Sequence, residues 1–313
     1  MHIAGRVEAA LARGDAVVAL ESTVITHGLP HPRNVEVASA LEDVVRAEGA
    51  EPATIGIVAG RPIVGLEARD LERLGGGPDA AKASLRDLGA LVARGSDAGT
   101  TVAATAWLAA RAGIPVFATG GIGGVHPGGS LDVSADLTTL ARAPVAVVCA
   151  GAKAILDLPR TLEALETLGV PVLGLGTREL PAFYHASSGL EVPHVVPDPA
   201  SAARAIAEHR ALDPATGVLL CVPPPEEAAL PAAEVEGWIE RARGEAEAAG
   251  IGGKTLTPWL LDRLAELSDG RTITANAALL QRNARVAARV AVALSALRGG
   301  SGPADPEEAA RRS

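Results

Sequence analysis

Short, wholly apolar runs alternate along most of this chain with longer stretches whose apolar positions recur at helical spacing. DAVVALEST (15–23) reads as a strand that turns polar at its C-terminal end. TIGIVAG (54–60), IPVFATG (114–120), PVAVVCAG (144–151), VPVLGLG (170–176) and GVLLCVP (217–223) repeat the theme, and PIVGL (62–66) adds a short strand. Between them, Asn34 is predicted to cap a helix in which Val37, Leu41, Val44 and Val45 share a face. LEARDLERLG is amphipathic and breaks at three glycines, and GTTVAATAWLAARAG (99–113) is a helix opened by small polar residues. DVSADLTTLAR, a stretch beginning at Lys153 (KAILDLPRTLEALETLG) and residues near 199–212 supply further helices. From Ala232 onward the pattern is helical only, at about 232–249, 257–267 and 272–297. Apolar strands alternating with helices predict an α/β fold with a mostly parallel sheet covered on both faces. The helical last third then packs on that body and walls the active site. No Pro/Ser-rich linker interrupts the interior, so residues 1–297 are expected to form one domain, followed by a disordered Gly/Pro/charge-rich tail at 298–313.

Composition narrows the function classes. A chain of 313 residues buries a core without disulfides or a structural metal. With 28 basic and 37 acidic side chains the net charge is −9, and no basic block provides a footprint for nucleic acid. One Tyr, two Phe and three Trp are too few for base-stacking platforms. The N-terminal MHIAGRVEAALARGD does not read as a secretory signal, and no apolar run approaches the roughly 20 residues of a membrane span. Cys149 and Cys221 sit in apolar runs and read as buried thiols of a cytoplasmic protein. Only three of the 28 basic residues are lysines: Lys82, Lys153 and Lys254. A chain that meets its generic need for positive charge with arginine invites the question of what each amine does that guanidinium cannot.

In parallel α/β proteins ligands gather beyond the C-terminal strand ends, and several polar segments fall there. Glu21 ends the first strand and could shuttle protons. GGIGG (120–124) lacks the spacing of a dinucleotide fingerprint or a P-loop, but its glycine density suits either an anion- or sugar-binding loop or a tight turn. Lys153, among small apolar neighbours at a helix start, is expected to have a lowered pKa and to act as a Schiff-base nucleophile. Thr100 and Thr101 open a helix whose free N–H groups suit an anion. Asp132 and Asp136, four apart, would share a helix face and could hold a hard divalent cation, with an N-cap role for Asp132 as the competing reading. Lys82 could counter a phosphate, and His126 could hydrogen-bond a ligand. Lys254, in a flexible-looking turn before a helix, ranks lowest of the three lysines for function, and His27 and His31, in a turn with Pro30 and Pro32, could just as well be local structure. Asn276 and Asn283 place two amides on one stripe of the last helix, which suggests that they face something polar.

Taken together, ALESTVITHGLPHPRN, KASLRDL, GTTVAATAWLAARAGIPVFATGGIGGVH, LDVSADL, PVAVVCAGAKAILDLPRTLEALETLGVPVLG, LPAFYHASSG and TPWLLDRLAELSDGRTITANAALLQRNA resemble the family of pseudouridine-5′-phosphate glycosidases and indigoidine synthase A-type proteins, in order from about residue 3 to 295. The resemblance implies a three-layer α/β/α sandwich around a mixed, mostly parallel sheet, a homotrimer, and a Mn²⁺ ion in each active site. It implies reversible cleavage of the C–C glycosidic bond of pseudouridine 5′-phosphate to uracil and ribose 5-phosphate. By motif position, Lys153 matches the lysine that bonds ribose C1′, Glu21 the proton-transferring acid and Asp132 the metal ligand. Lys82, Val102 and the segment Ser134, Ala135 and Asp136 match substrate contacts, with Lys82 at the phosphate. The expected partner is thus a small phosphorylated nucleotide, with neither nucleic acid nor membrane.

Four departures stand out: Pro127 replaces the arginine of a VHRG loop, Val222 opens a segment the family writes as NPxP, Arg282 precedes Asn283 where the family has two asparagines, and Ala154 replaces a serine. The first three could shift phosphate or base recognition. The alternatives are another Schiff-base lyase or aldolase acting on a phosphosugar, a Mn²⁺-dependent N-glycosidase of ordinary nucleotides, and a catalytically silent nucleotide-binding subunit.

Overall fold

The computed structural model describes residues 1–77, 79–128, 132–212, 215–252 and 256–299; Lys254 and the tail beyond residue 299 lie outside them. In chain order, β1 (His2–Ile3) and α1 (Gly5–Arg13) lead into β2 (Val17–Leu20), α2 (Thr23–His27) and α3 (Arg33–Ala47). A hairpin of β3 (Glu51–Val58) and β4 (Arg61–Val64) is followed by α4 (Ala68–Gly76), β5 (Ala81–Ala83), α5 (Leu88–Ala93) and β6 (Ala98–Thr100). Next come α6 (Val102–Ala112), β7 (Val116–Ala118), α7 (Ala135–Leu140), β8 (Ala146–Cys149), α8 (Leu158–Thr167) and β9 (Val172–Leu175). The strands close with β10 (His194–Val196) and β11 (Val218–Cys221), which flank α9 (Pro199–Leu212). Three helices finish the chain: α10 (Ala232–Ala248), α11 (Leu256–Leu267) and α12 (Arg271–Gly299).

The strands form one mixed sheet in the order β1-β4-β3-β2-β7-β8-β11-β9-β10, with β6 paired to β3 and β5 to β6. β3 is the pivot. Its first half pairs in parallel with β2, whereas its second half pairs antiparallel with both β4 and β6. Every other ladder among the described residues is parallel. The central strands are buried along their length because helices cover both faces, which is why they read as unbroken apolar runs. α12 crosses β2, β7 and β8 with α3 and α9 beside it, while α6, with α7 alongside, lies against β2 and β3. The small side chains of α12, including Ala275, Ala284, Ala287 and Ala291, are fully or almost fully buried and let its backbone approach the sheet closely. The two thiols, Cys149 and Cys221, are free, buried and opposite each other in the β8–β11 register.

The apolar strands fall where the sequence pattern places them, and the three C-terminal helices match it within a few residues. Several local expectations do not hold. Lys153 does not begin a helix: α8 starts five residues later, at Leu158, where the Asp157 carboxylate accepts the Arg160 N–H and Pro159 occupies the first turn. Lys153 therefore does not stand at a helix terminus. Residues 98–100 are strand rather than helix opening, and α6 is capped by the Thr101 hydroxyl. Asp132 and Asp136 do not share a helix face, because Ser134 caps α7 and Asp132 precedes it. The same geometry removes the N-cap reading of Asp132. Asn34 lies inside α3 rather than at its cap, with its amide donating to the carbonyls of Ile25 and Gly75. The strands β1, β5, β6 and β10, two or three residues each, are additions that the apolar pattern does not announce.

Gly151 links β8 to the segment that carries Lys153. Its φ of +82° lies in the left-handed region, and a Cβ there would collide with the Pro181 carbonyl oxygen. Gly151→Ala is thus expected to combine backbone strain with overpacking and to destabilise the fold by about 1–3 kcal/mol. Urea denaturation should show a lowered midpoint, and an unchanged midpoint would contradict the close packing described.

Candidate active site

Strands β2, β7 and β8 lie side by side and run the same way, so their C-terminal ends share one edge. Leu20 stands opposite Ala118, and Ala118 opposite Val148. The next rung brings Glu21 beside Thr119, whose hydroxyl donates a hydrogen bond to the Glu21 carboxyl oxygen Oε1. Pairing continues past the strand ends. The N–H of Ala150 donates to the Gly120 carbonyl at 2.8 Å, that of Ile122 to Gly151 at 3.1 Å, and that of Lys153 to Ile122 at 3.0 Å. The glycine-rich loop and the Lys153 segment thus run as two short parallel ribbons, and Lys153 is fixed by its backbone rather than by a helix.

Above this edge is a cavity of about 380 Å³, within the range of small-ligand sites. Glu21, Lys82, Lys153, Gly120 and Gly121 form its reactive side. Phe183 and Tyr184, stacked edge to face with centroids 4.7 Å apart, form an aromatic wall. The helical third closes the opposite side with Leu261 and Asp262 of α11 and Thr272, Ile273, Asn276 and Leu280 of α12. His27 and Pro30 line the remaining side.

The charges in this cavity are coupled. Burial pushes the Glu21 carboxyl above its usual value, against the lowering effect of Lys153 and the Thr119 hydrogen bond, while Asp136 adds to the rise and Lys82 opposes it. Lys82 is shifted down, by desolvation and then by the positive charge of Lys153, with Glu21 and Asp136 pulling the other way. His27 is lowered by burial and by Lys82, so its imidazole is held neutral. Its Nδ1 lies 2.7 Å from the Thr26 hydroxyl. Asp262 is raised by burial and by Glu266, and burial keeps the Tyr184 phenol neutral.

Asp136 sits behind the glycine loop. Its Oδ1 accepts the Ala103 N–H in the first turn of α6 at 2.8 Å, and its Oδ2 accepts the Gly123 N–H at 2.7 Å. A Cβ on Gly123 would collide with the Ser134 hydroxyl and stand 2.9 Å from Asp136 Oδ2. None of the glycines at 120, 121, 123 and 124 has a positive φ. The glycine density therefore serves close approach, not a tight turn.

The candidate residues separate into groups. Glu21, Lys82, Lys153 and Asn276 converge on the cavity. Asn283 is buried beneath it, its amide donating to the carbonyls of Thr119 at 2.8 Å and Gly120 at 3.3 Å. Thr100 and Thr101 are not free anion donors. The Thr100 N–H donates to the Ser22 hydroxyl at 2.9 Å, the Thr101 N–H donates to the Ala83 carbonyl at 3.0 Å, and Thr100 is fully buried. Val102 is buried at the start of α6, and Ser134 and Ala135 stand at the start of α7, outside the cavity lining. His126 donates its backbone N–H to the Asp132 carbonyl and also lies outside that lining. Sequence reasoning did not single out Thr119, Phe183, Tyr184 and Asp262, although each lies in a quoted motif; Thr119 also had a positional signal, being the residue after β7 as Glu21 is the residue after β2.

The Asp132 carboxylate is exposed and makes no hydrogen bond or ion pair among the described residues, which contain no group of three or more His, Cys, Asp or Glu suited to a metal ion. A single free carboxylate of this kind fits a hydrated Mg²⁺ or Mn²⁺ ion, which keeps several waters, and does not fit zinc. Both Asp136 oxygens are already taken by backbone donors. No helix among the described residues is long and apolar enough to cross a membrane.

Residues 6–293 match the family model described as indigoidine synthase A like protein. A pseudouridine-5′-phosphate glycosidase of Chloroflexus aurantiacus is 56% identical over 303 residues, covering 95% of this chain and 99% of its own. The protein of the same name from Herpetosiphon aurantiacus is 56% identical over 294 residues, covering 93% and 97%. Among solved structures, the prealnumycin C-glycosynthase in complex with ribulose 5-phosphate superposes with a TM-score of 0.89 at 40% identity, covering 96% of this chain and 98% of that one. An indigoidine synthase A-like protein of Thermotoga maritima gives 0.84 at 37%, covering 90% and 94%.

The coupling of Lys82 to its neighbours can be measured directly. Removing the Lys153 charge in Lys153→Met should raise the Lys82 pKa toward the ordinary lysine value, and Glu21→Gln should lower it further. Competitive acetylation of the folded protein across the alkaline range, read peptide by peptide, reports the Lys82 midpoint. A midpoint that ignores both substitutions would show that the three side chains do not share one electrostatic site.

Proposed function

The chain belongs to the indigoidine synthase A-like family, and from that premise we propose that it cleaves pseudouridine 5′-phosphate to uracil and ribose 5-phosphate, reversibly, through a covalent bond between Lys153 and ribose C1′. The observation that carries this reading is the meeting of an amine, Lys153, with a desolvated carboxyl, Glu21, at the edge shared by the C-terminal ends of the parallel strands β2, β7 and β8, in a cavity that also holds Lys82.

A C–C glycosidic bond leaves no heteroatom on the base to protonate as a leaving group, so the two-carboxylate scheme for O-glycosides does not suffice. The Lys153 amine attacks C1′ as the C1′–O4′ bond breaks, and Glu21 gives its proton to O4′. The new secondary ammonium returns a proton to the Glu21 carboxylate. The nitrogen lone pair then forms the C1′ iminium as the C1′–C5 bond breaks, and the electron pair left on C5 takes the proton from Glu21. Water hydrolyses the imine, regenerating the amine and releasing ribose 5-phosphate. One carboxyl thus donates, recovers and donates again, a task suited to a group whose pKa burial has raised above the usual carboxylate value.

Lys82 is assigned to the 5′-phosphate, whereas Val102, Ser134, Ala135 and Asp136, which the family motif makes substrate contacts, lie outside the cavity lining and are assigned no contact. Asn276 faces the cavity from α12 and offers an amide to the base. The free carboxylate of Asp132 is assigned to a hydrated Mn²⁺, which when bound would supply positive charge to the site. A homotrimer working in the cytoplasm completes the proposal.

Borohydride added to the enzyme with ribose 5-phosphate should fix a sugar mass on the peptide carrying Lys153. Lys153→Arg should retain the charge and lose turnover, because guanidinium cannot form the imine. A trapped sugar on another lysine, or near-normal turnover of Lys153→Arg, would refute the mechanism.

Chelation should abolish activity, Mn²⁺ should restore it, and Asp132→Ala should raise the Mn²⁺ concentration needed for half-maximal rate. Full activity in a metal-free sample would remove Asp132 from its assigned role.

A further inference from the structure

We infer that Thr119 is a positioning residue for the acid: its hydroxyl locks the Glu21 carboxyl, and Asn283 of α12 in turn locks the Thr119 backbone, so that the orientation of the proton donor is set from outside the cavity. The inference rests on the proposed role of Glu21 and extends it to two residues that do not touch substrate.

The geometry is a three-residue chain. The β2–β7 register puts Glu21 and Thr119 side by side on the first rung past the strands. Thr119 is 1% exposed, and its hydroxyl donates to Glu21 Oε1. Its own N–H donates to the Val148 carbonyl of β8 at 3.0 Å, and its carbonyl accepts the Asn283 amide at 2.8 Å. The threonine is therefore held by β8 on one side and by α12 on the other, leaving the hydroxyl no task but the carboxyl. Asn283 is 1% exposed, and its Oδ1 has no hydrogen-bond partner among the described residues. Turning the amide over would set that oxygen against two carbonyls, so the orientation is fixed. A buried acceptor left without a donor is costly. The fold accepts that cost to hold the Thr119–Gly120 carbonyls in place.

An O–H donor to a carboxylate stabilises the ionised form, so Thr119 works against the burial that raises Glu21. The other groups acting on Glu21 are Lys153 on the segment after β8, Lys82 on β5 and Asp136 on α7, while His27 of α2 and Asp262 of α11 line the same cavity. Thr119→Val removes only the hydroxyl and leaves all of these in place. The carboxylate then loses a donor, its pKa rises, and the limb of the rate profile that belongs to Glu21 moves to higher pH by about one unit. The carboxyl also gains rotational freedom, so kcat falls by about tenfold with KM little changed.

The test reads the carboxyl itself and then the rate. Infrared difference titration of the unliganded enzyme follows the protonated carboxyl band of Glu21, assigned by its disappearance in Glu21→Gln. The band should titrate at higher pH in Thr119→Val and return most of the way in Thr119→Ser, and the kcat profile should shift in parallel. Should Thr119→Val not fold, Thr119→Ala removes the same donor at the cost of a small void. An unmoved Glu21 titration in the folded variant overturns the inference, as does a loss of rate that Thr119→Ser fails to restore. Because the titration needs no turnover, it stands even if the enzyme proves to act on a different substrate, and failure of the reaction is thus separable from failure of the inference.

Discussion

Asp136 carries a carboxylate into the protein interior and sets each oxygen on a backbone N–H, one from α6 and one from the glycine loop. A bare carboxylate at that depth would be strongly disfavoured. Charge-assisted bonds to two donors, one of them in the first turn of a helix, make it stable there. The consequence is mechanical as well as electrostatic. α6, α7 and the loop after β7 become one unit, Gly123 must lack a side chain, and the loop is held where it can pair with the segment after β8. Lys153 takes its place from that pairing. The same negative charge also reaches the cavity, where it favours the protonated forms of Glu21 and Lys82.

Glu21, Lys82 and Lys153 share this small cavity with Asp136 behind the glycine loop, and the protonation of Glu21 and of Lys82 depends on the charges around them. Lys153 favours ionised Glu21 and disfavours charged Lys82; Glu21 in turn favours charged Lys82. In the proposed reaction, bonding of Lys153 to carbon and loss of its proton would weaken the restraint on Glu21, making the carboxyl a better holder of the proton it would next deliver. On that proposal the chemistry would reset its own acid. This is also a physical reason for so few lysines. Guanidinium stays charged throughout and could not take part in such an exchange.

The parts of this structure that are legible in the sequence are those written in burial. The four residues AVVC of β8 and VLLC of β11 are covered on both faces and have no polar alternation to confuse them. Short strands fail for the opposite reason. The three residues of β5 and β6 carry no periodicity, and the small polar residues at 99–101 look like a helix opening because the true cap, Thr101, is only one residue beyond the strand. The start of α8 has a stronger local signal than the helical spacing that begins at Lys153: Asp157 and Pro159 form a cap and first-turn pair, and the pair wins. Likewise Ser134, between the two aspartates, is a better cap than either and separates them. Glu21, Lys82 and Lys153 are identifiable by residue type and motif, but Thr119 becomes visible only through the strand register.

α12 shows why such residues escape a linear reading. Asn276 and Asn283 lie seven residues apart, two turns along one face. The sequence suggests a single polar stripe, yet they do different things: Asn276 faces the cavity, whereas Asn283 lies under its floor and grips the backbone beside Glu21. One rigid helix therefore sets both the wall offered to the substrate and the support of the proton donor. The buried alanines of α12, interleaved with Leu279, Leu280 and Val290, let the helix lie close enough to β2, β7 and β8 for the short Asn283 side chain to reach the carbonyls beyond β7.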